Sequence, residues 1–206
     1  MLTILLPVIK DWTRKAVVEA IVASDIPRCP VILVIDAPGC AQWEIDLYDA
    51  GFRVRTYLTM NPYPPEDRIE RRPRARAIAR YMQTLVPDGP LLCLEDDILV
   101  PPDIYSRLSA LGPHATGVQI GRHETIQRGI KRPVLYPMQE MGEGIAEVEG
   151  CGFGCLLTTG EAYSGAFLDE SSPWAVSREL TWQLRPLRVD FGCVCGHLTK
   201  DGVILP

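Results

Sequence analysis

The sequence predicts an α/β fold built around a parallel sheet, and three observations carry the prediction. Apolar runs of strand length alternate with segments of helical periodicity through the first hundred residues. The run Val31-Ile32-Leu33-Val34-Ile35 is continuously apolar, the mark of a strand covered on both faces. Acidic residues follow two such runs, Asp36 after Ile35 and Glu95-Asp96-Asp97 after Leu94. Open α/β sheets bind ligands at the carboxyl ends of their strands.

Taken in order, Leu2 to Leu6 reads as the first strand, stopped by Pro7. Asp11 or Thr13 can cap a helix in which Ala16, Val17, Ala20, Ile21 and Ser24 recur at helical spacing, ended by Pro27 and Pro30. Val31 to Ile35 is the second strand. A helix from about Ala41 to Ala50 ends at Gly51, and Phe52 to Leu58 is the third strand. Asn61 to Asp67 is a proline-rich loop. The Arg-rich helix Arg72 to Leu85 tolerates Pro73 in its first turn and has the apolar stripe Ala75, Ile78, Ala79, Met82 and Leu85. Leu91 to Leu94 is the acid-tipped strand, and Pro101-Pro102 opens a helix to about Leu111. His114 to Ile120 is a further strand. Gly121 to Gly144 reads as a loop with a possible hairpin at Lys131 to Tyr136. Cys155 to Thr159 is strand-like, Gly160 begins a short helix, Trp174 to Arg185 is helical, and Leu187 to Val194 is the last strand.

The 206-residue chain is the length of one domain, with 1–120 and 121–206 as two halves of it. Its 47% hydrophobic and 23% charged residues fit a soluble globular protein. A net charge of -5 gives no global attraction to nucleic acid or anionic membrane. No apolar run approaches the ~20 residues a membrane span needs. Met1 to Pro7 lacks a basic region and a cleavage site, so it is read as a strand and not a signal peptide. Seven cysteines without an export signal imply reduced thiols and a cytoplasmic protein.

Three adjacent carboxylates beside a core repel one another and resist desolvation. A hard divalent cation such as Mg²⁺ or Mn²⁺ relieves this and often shares its shell with substrate phosphates; a solvated acidic turn is the competing reading. Asp36 is either a ligand-binding residue at a strand end or a cap on its turn. The arginines from Arg68 to Arg80 are either anion-binding or a solvated face balanced by Glu66, Asp67 and Glu70. Cys151, Cys155, Cys193, Cys195 and His197 admit a zinc site, against which stands the tendency of cysteine to pack as a small hydrophobe.

The order of these features resembles the GT-A fold glycosyltransferases, particularly family 2. The residues that carry the resemblance are Thr3 to Pro7, Val31 to Asp36, Arg74-Ala75-Arg76, Leu94-Glu95-Asp96-Asp97 with Pro102-Asp103, Glu149 to Leu157, Arg178 to Arg185, and Val194 to His197. The resemblance implies a mixed sheet flanked by helices and a nucleotide-diphosphate sugar as donor, UDP-linked by preference. It implies donor contacts from Pro7, Val8, Asp36, Arg74, Arg76, Glu95, Asp96 and Lys200. It implies a DXD-type site in which Asp97 and His197, with Glu95, bind Mn²⁺ or Mg²⁺. Here the first residue of that motif is Glu95, not aspartate.

A divalent ion would stabilise the charge that builds on the departing diphosphate. A carboxylate must take the acceptor hydroxyl's proton in an inverting displacement. Glu179 is the first candidate, with Asp169 and Glu170 behind it. The acceptor is a glycan or, as a minority reading, a hydroxymethylated base in phage-type DNA. The rivals are a nucleotidyltransferase, disfavoured because Val8 to Trp12 holds no glycine, and a zinc-stabilised interaction module that is not an enzyme. The oligomeric state is not legible.

Overall fold

The computed structural model describes residues 1–36, 39–59, 71–120, 132–137, 140–169, 172 and 175–205, with the side chains of 71–73 excepted. Glu170, Trp174, His123, Arg68 and the side chains of Arg71 and Arg72 thus lie outside the described residues.

The first half follows the predicted alternation. β1 (Thr3–Val8), α1 (Arg14–Ala23), β2 (Pro30–Ile35), α2 (Gln42–Asp49), β3 (Arg53–Leu58), α3 (Arg71–Leu85) and β4 (Pro90–Leu94) succeed one another. β1 pairs in parallel with β2 and β4, and β2 in parallel with β3. After β4 come β5 (Ile98–Leu99), α4 (Ile104–Leu111), β6 (Ala115–Gln119), β7 (Leu135–Tyr136), β8 (Ile145–Val148), β9 (Gly150–Cys151) and β10 (Cys155–Thr159). Then follow α5 (Gly160–Gly165), α6 (Val176–Thr181), β11 (Leu187–Thr199) and β12 (Gly202–Ile204). The main sheet runs β12-β11-β6-β10-β4-β1-β2-β3. It is mixed: β10 is antiparallel to β4 and β6, whereas β11 runs parallel to β6.

Helices cover both faces, as the uninterrupted apolar strands require. One face packs Ile4, Leu6, Val31 and Leu33 with Val17, Trp43, Leu47, Ile104 and Leu108 of α1, α2 and α4. The other packs Leu5, Ile32, Val34 and Leu156 with Ile78, Met82, Tyr163 and Leu180 of α3, α5 and α6.

Three elements differ from expectation. β1 continues through Pro7, which pairs in register with Val34. Asp36 N–H donates to Val8 O at 3.0 Å, so Val8 faces β2 and Pro7 the opposite side, toward β4. There the ladder has already ended at Leu5, and no N–H is required of Pro7. The helix expected over Trp174 to Arg185 is confined to Val176–Thr181 among the described residues; Gln183 and Leu184 continue it as tighter turns before Pro186. The last strand reaches Thr199, across a register irregularity between Asp190 and Val194. His197 therefore lies within β11, opposite Ile98 and Ile204, and not beyond the strand.

Candidate active site

β1 and β4 are neighbours, yet the chain leaves them in opposite directions across the sheet, β1 toward β2 and β4 toward β10. That reversal, with pairing that stops at Leu5–Cys93, opens a crevice beyond the strand ends. Asp96 spans it. Its Oδ2 accepts from the backbone N–H groups of Ile9 and Lys10, both at 2.6 Å, and its Oδ1 from Lys10 Nζ at 2.8 Å. The Lys10 ammonium also reaches Asp97 Oδ2 at 2.9 Å. Burial opposes the charge on Lys10, but Asp96 and Asp97 outweigh it and raise the lysine above its ordinary value.

Asp97 is buried, and its Oδ2 lies 3.3 Å from His197 Nε2. The other ring nitrogen of His197 donates to Ile120 O at 3.0 Å, since a carbonyl can only accept. This fixes Nε2 toward the carboxylate. Burial would raise Asp97, but the His197 hydrogen bond and the Lys10 charge hold it down to about 2. Burial would likewise lower His197, and Asp97 raises it instead. Pairing of β11 with β5 makes the contact: Leu198 N–H donates to Asp97 O at 2.7 Å. The carboxylate of Glu95, a half-buried residue, makes no hydrogen bond or ion pair among the described residues. Burial, reinforced by the charge of Asp97, pushes it up to about 7.

These groups form the acidic end of a cavity of about 640 Å³. α3 supplies one wall with Ala75, Ile78, Ala79 and Met82. Arg132 to Tyr136 and Phe153 supply another, and Ala175 to Ser177 at the start of α6 close a third side. Pro7 lines it as expected; Val8 is fully buried in the core and does not.

Several expected site residues are turned elsewhere. Arg74 is buried on Asp36: its Nε meets Asp36 Oδ2 at 2.6 Å and its Nη2 meets Asp36 O at 2.7 Å, and Thr59 also donates to that carboxylate. Two of the residues expected to contact the donor thus meet each other. Arg76 pairs with Glu179 at 3.0 Å, both buried, and donates to Ser172 O at 2.9 Å. The second Glu179 oxygen accepts from Asp169 N–H. Glu179 therefore does not line the cavity, and its oxygens are committed to holding chain segments together. Asp169 is exposed and off the cavity; Lys200 is exposed in the turn between β11 and β12. The cysteines do not converge with His197, whose ring faces Asp97. All seven are buried, and no group of three or more His, Cys, Asp or Glu among the described residues is arranged to hold a metal. A divalent ion would rest on two side chains, Asp97 and His197. Their spacing and the Ile120 hydrogen bond behind the imidazole suit ligation of one ion, and a carboxylate oxygen with an imidazole nitrogen suits Mn²⁺ better than Mg²⁺.

Sequence reasoning passed over Lys10, Arg132, Tyr136 and Phe153. For Lys10 a signal existed: a lone lysine directly after the first strand. For the others there was none beyond a polar, Gly-rich stretch.

No protein-family model and no curated protein sequence matches the chain. Solved structures do. A197 from STIV matches over 99% of this chain and 93% of its own, with TM-score 0.52 and 12% identity. S. aureus TarS matches over 98% of this chain, with TM-score 0.61 and 11% identity, but over 36% of its own length. TarS 1–349 in complex with UDP-GlcNAc gives 0.59 and 12%, over 98% of this chain and 57% of that one. The chain thus spans little more than half of the TarS fragment. At these identities the likeness is one of fold: a mixed α/β sheet flanked by helices, as in GT-A glycosyltransferases.

Proposed function

We propose that this chain is a glycosyltransferase that moves a sugar from a nucleoside-diphosphate sugar, UDP-linked by preference, to a hydroxyl acceptor. The observation that carries the reading is the acidic end of the cavity: Glu95, Asp96 and Asp97 beside Lys10 and His197, at the strand reversal of a GT-A-like sheet. TarS, one of the proteins with this fold, has been seen with UDP-GlcNAc and with UDP.

In this reading Asp97 and His197 hold a divalent ion. When bound, that ion supplies Lewis-acid stabilisation of the diphosphate leaving group. Asp96 keeps the ends of β1 and β4 in register and presents Lys10. Glu95 replaces Glu179 as the base, for a geometric reason. Of the three acidic residues lining the cavity, Asp96 and Asp97 already accept from Lys10, and Glu95 is the one whose carboxylate has no hydrogen-bond partner among the described residues. It takes the acceptor proton as the hydroxyl oxygen attacks the anomeric carbon, in a single inverting displacement. Arg74 and Arg76 are buried on Asp36 and Glu179, so these two arginines of the basic stretch are turned away from a phosphate-bearing acceptor such as DNA. We therefore take a glycan hydroxyl as the acceptor.

The test is a donor screen. The protein is incubated with Mn²⁺ and a panel of nucleotide sugars, and thermal shift and slow donor hydrolysis are measured. We expect one donor to raise the melting temperature and to be hydrolysed, both effects being lost with EDTA and in Asp97→Asn. No response to any donor would sink the proposal.

A further inference from the structure

We propose that Lys10 is a diphosphate-binding residue: its ammonium, held between Asp96 and Asp97 when no donor is bound, is the protein's own cation for the donor phosphates. The inference rests on the glycosyltransferase reading of the cavity. Lys10 is fixed at its backbone and adjustable at its tip. Its N–H donates to Asp96 Oδ2 at 2.6 Å, and its carbonyl accepts from Thr13 Oγ1 and Trp43 Nε1, both at 3.2 Å. The side chain lines the cavity and is 26% exposed, whereas those of Asp96 and Asp97 are 4% and 5% exposed. Two nearly buried carboxylates hold the ammonium at the place where a diphosphate must arrive.

Charge makes the need plain. A diphosphate brings about two negative charges beside carboxylates already buried, and a single divalent ion only offsets the newcomer. The arginines expected to help are committed to Asp36 and Glu179. Arg132, the other strong base on the lining, is paired with Glu140 at 3.1 Å. Lysine suits the task, since its three donors sit on a flexible stem and can turn from carboxylate to phosphate without moving the backbone.

The test compares UDP with uridine, or the diphosphate and nucleoside of whichever donor the screen identifies, by calorimetry with Mg²⁺. Lys10→Met should weaken UDP binding at least about tenfold and leave uridine unchanged, and Lys10→Arg should recover part of the loss. Equal losses for UDP and uridine, or none for either, would overturn the assignment. Lys10→Met strips two buried carboxylates of their cation and can fail to fold, so a second measurement uses the wild-type protein. Its four lysines are reductively ¹³C-methylated, and the Lys10 resonance is assigned by Lys10→Arg. UDP should shift that resonance and uridine should not. A Lys10 signal unmoved by bound UDP would overturn the proposal while sparing the glycosyltransferase reading. Failure of the wild type to bind any nucleoside diphosphate would overturn both.

Discussion

Glu179 meets Arg76 inside the protein, with side chains 9% and 4% exposed. The sequence offered an acid on a short helix near the C-terminus; it could not show that an arginine 103 residues earlier would be buried against it. Removing one partner of such a pair leaves the other charge buried. Glu179→Ala should therefore lower stability by about 3 kcal/mol or more in urea unfolding, with kcat per folded molecule little changed. A large loss of kcat at unchanged stability would restore Glu179 as the base. Glu95 is the converse case. It was the least family-like member of the acidic triplet, and the structure places it on the cavity lining with no hydrogen bond to its carboxylate among the described residues. Glu95→Gln should cut kcat by about a hundredfold or more while the donor still shifts the melting temperature. A variant with wild-type turnover would exclude it. Asp97 and His197 were legible as a pair because both stand in motifs. Lys10 was visible but unassigned, because its partners are 86 and 87 residues away.

At the scale of elements, the start of α4 shows how far local signals reach. Pro101-Pro102 announced the helix correctly. Asp103, at its N-cap position, makes no side-chain capping bond. Asp25, from the loop after α1, caps it instead, accepting from Tyr105 N–H at 2.7 Å and Ser106 N–H at 2.8 Å. Slight burial would raise the Asp25 carboxyl, and the bonds from Ser106 and Tyr105 outweigh it and lower its pKa. A depressed carboxylate stabilises the fold above its unfolded pKa and loses that contribution as pH falls through the folded one. Asp25→Ala should cost about 0.5–1 kcal/mol at pH 7 at this exposed site, and the gap should close below about pH 4. Urea titrations at both pH values check this; a gap independent of pH would refute the capping role. Gly160 is a second such device. A Cβ there would stand 1.8 Å from Pro87 O, while Gly160 N–H donates to Gly89 O at 2.8 Å. This close approach seats α5 on the turn that leads into β4. Gly160→Ala should be destabilising by about 1–3 kcal/mol, read as a fall in melting temperature.

For the whole molecule, the order of strands decides what can stand alone. The break in pattern near residue 121, read with the family resemblance, suggested a nucleotide-sugar-binding half, 1–120, and an acceptor-side half, 121–206. In the sheet, however, β10 lies between β4 and β6, and β6 pairs only with β10 and β11 among the described strands. Both partners of β6 come from the second half. A fragment of residues 1–120 would leave β6 unpaired and the edge of β4 open. We expect it to show no cooperative thermal transition by circular dichroism; a sharp transition would make the first half an independent unit. The same interleaving builds the cavity, whose lining runs from Pro7 to His197.

The alternation of strands and helices, the two-sided burial of β2 and the acid at the strand ends were all legible in the sequence alone. These are written in short-range patterns, because burial at a position depends mainly on its periodicity within one strand or helix. Which cation meets which carboxylate depended on the folded chain. Arg74 went to Asp36, Arg76 to Glu179 and Lys10 to Asp96 and Asp97. A charge is drawn to whichever opposite charge the fold brings within a few ångströms, and that distance is set by strand order and register across the sheet, not by spacing along the chain.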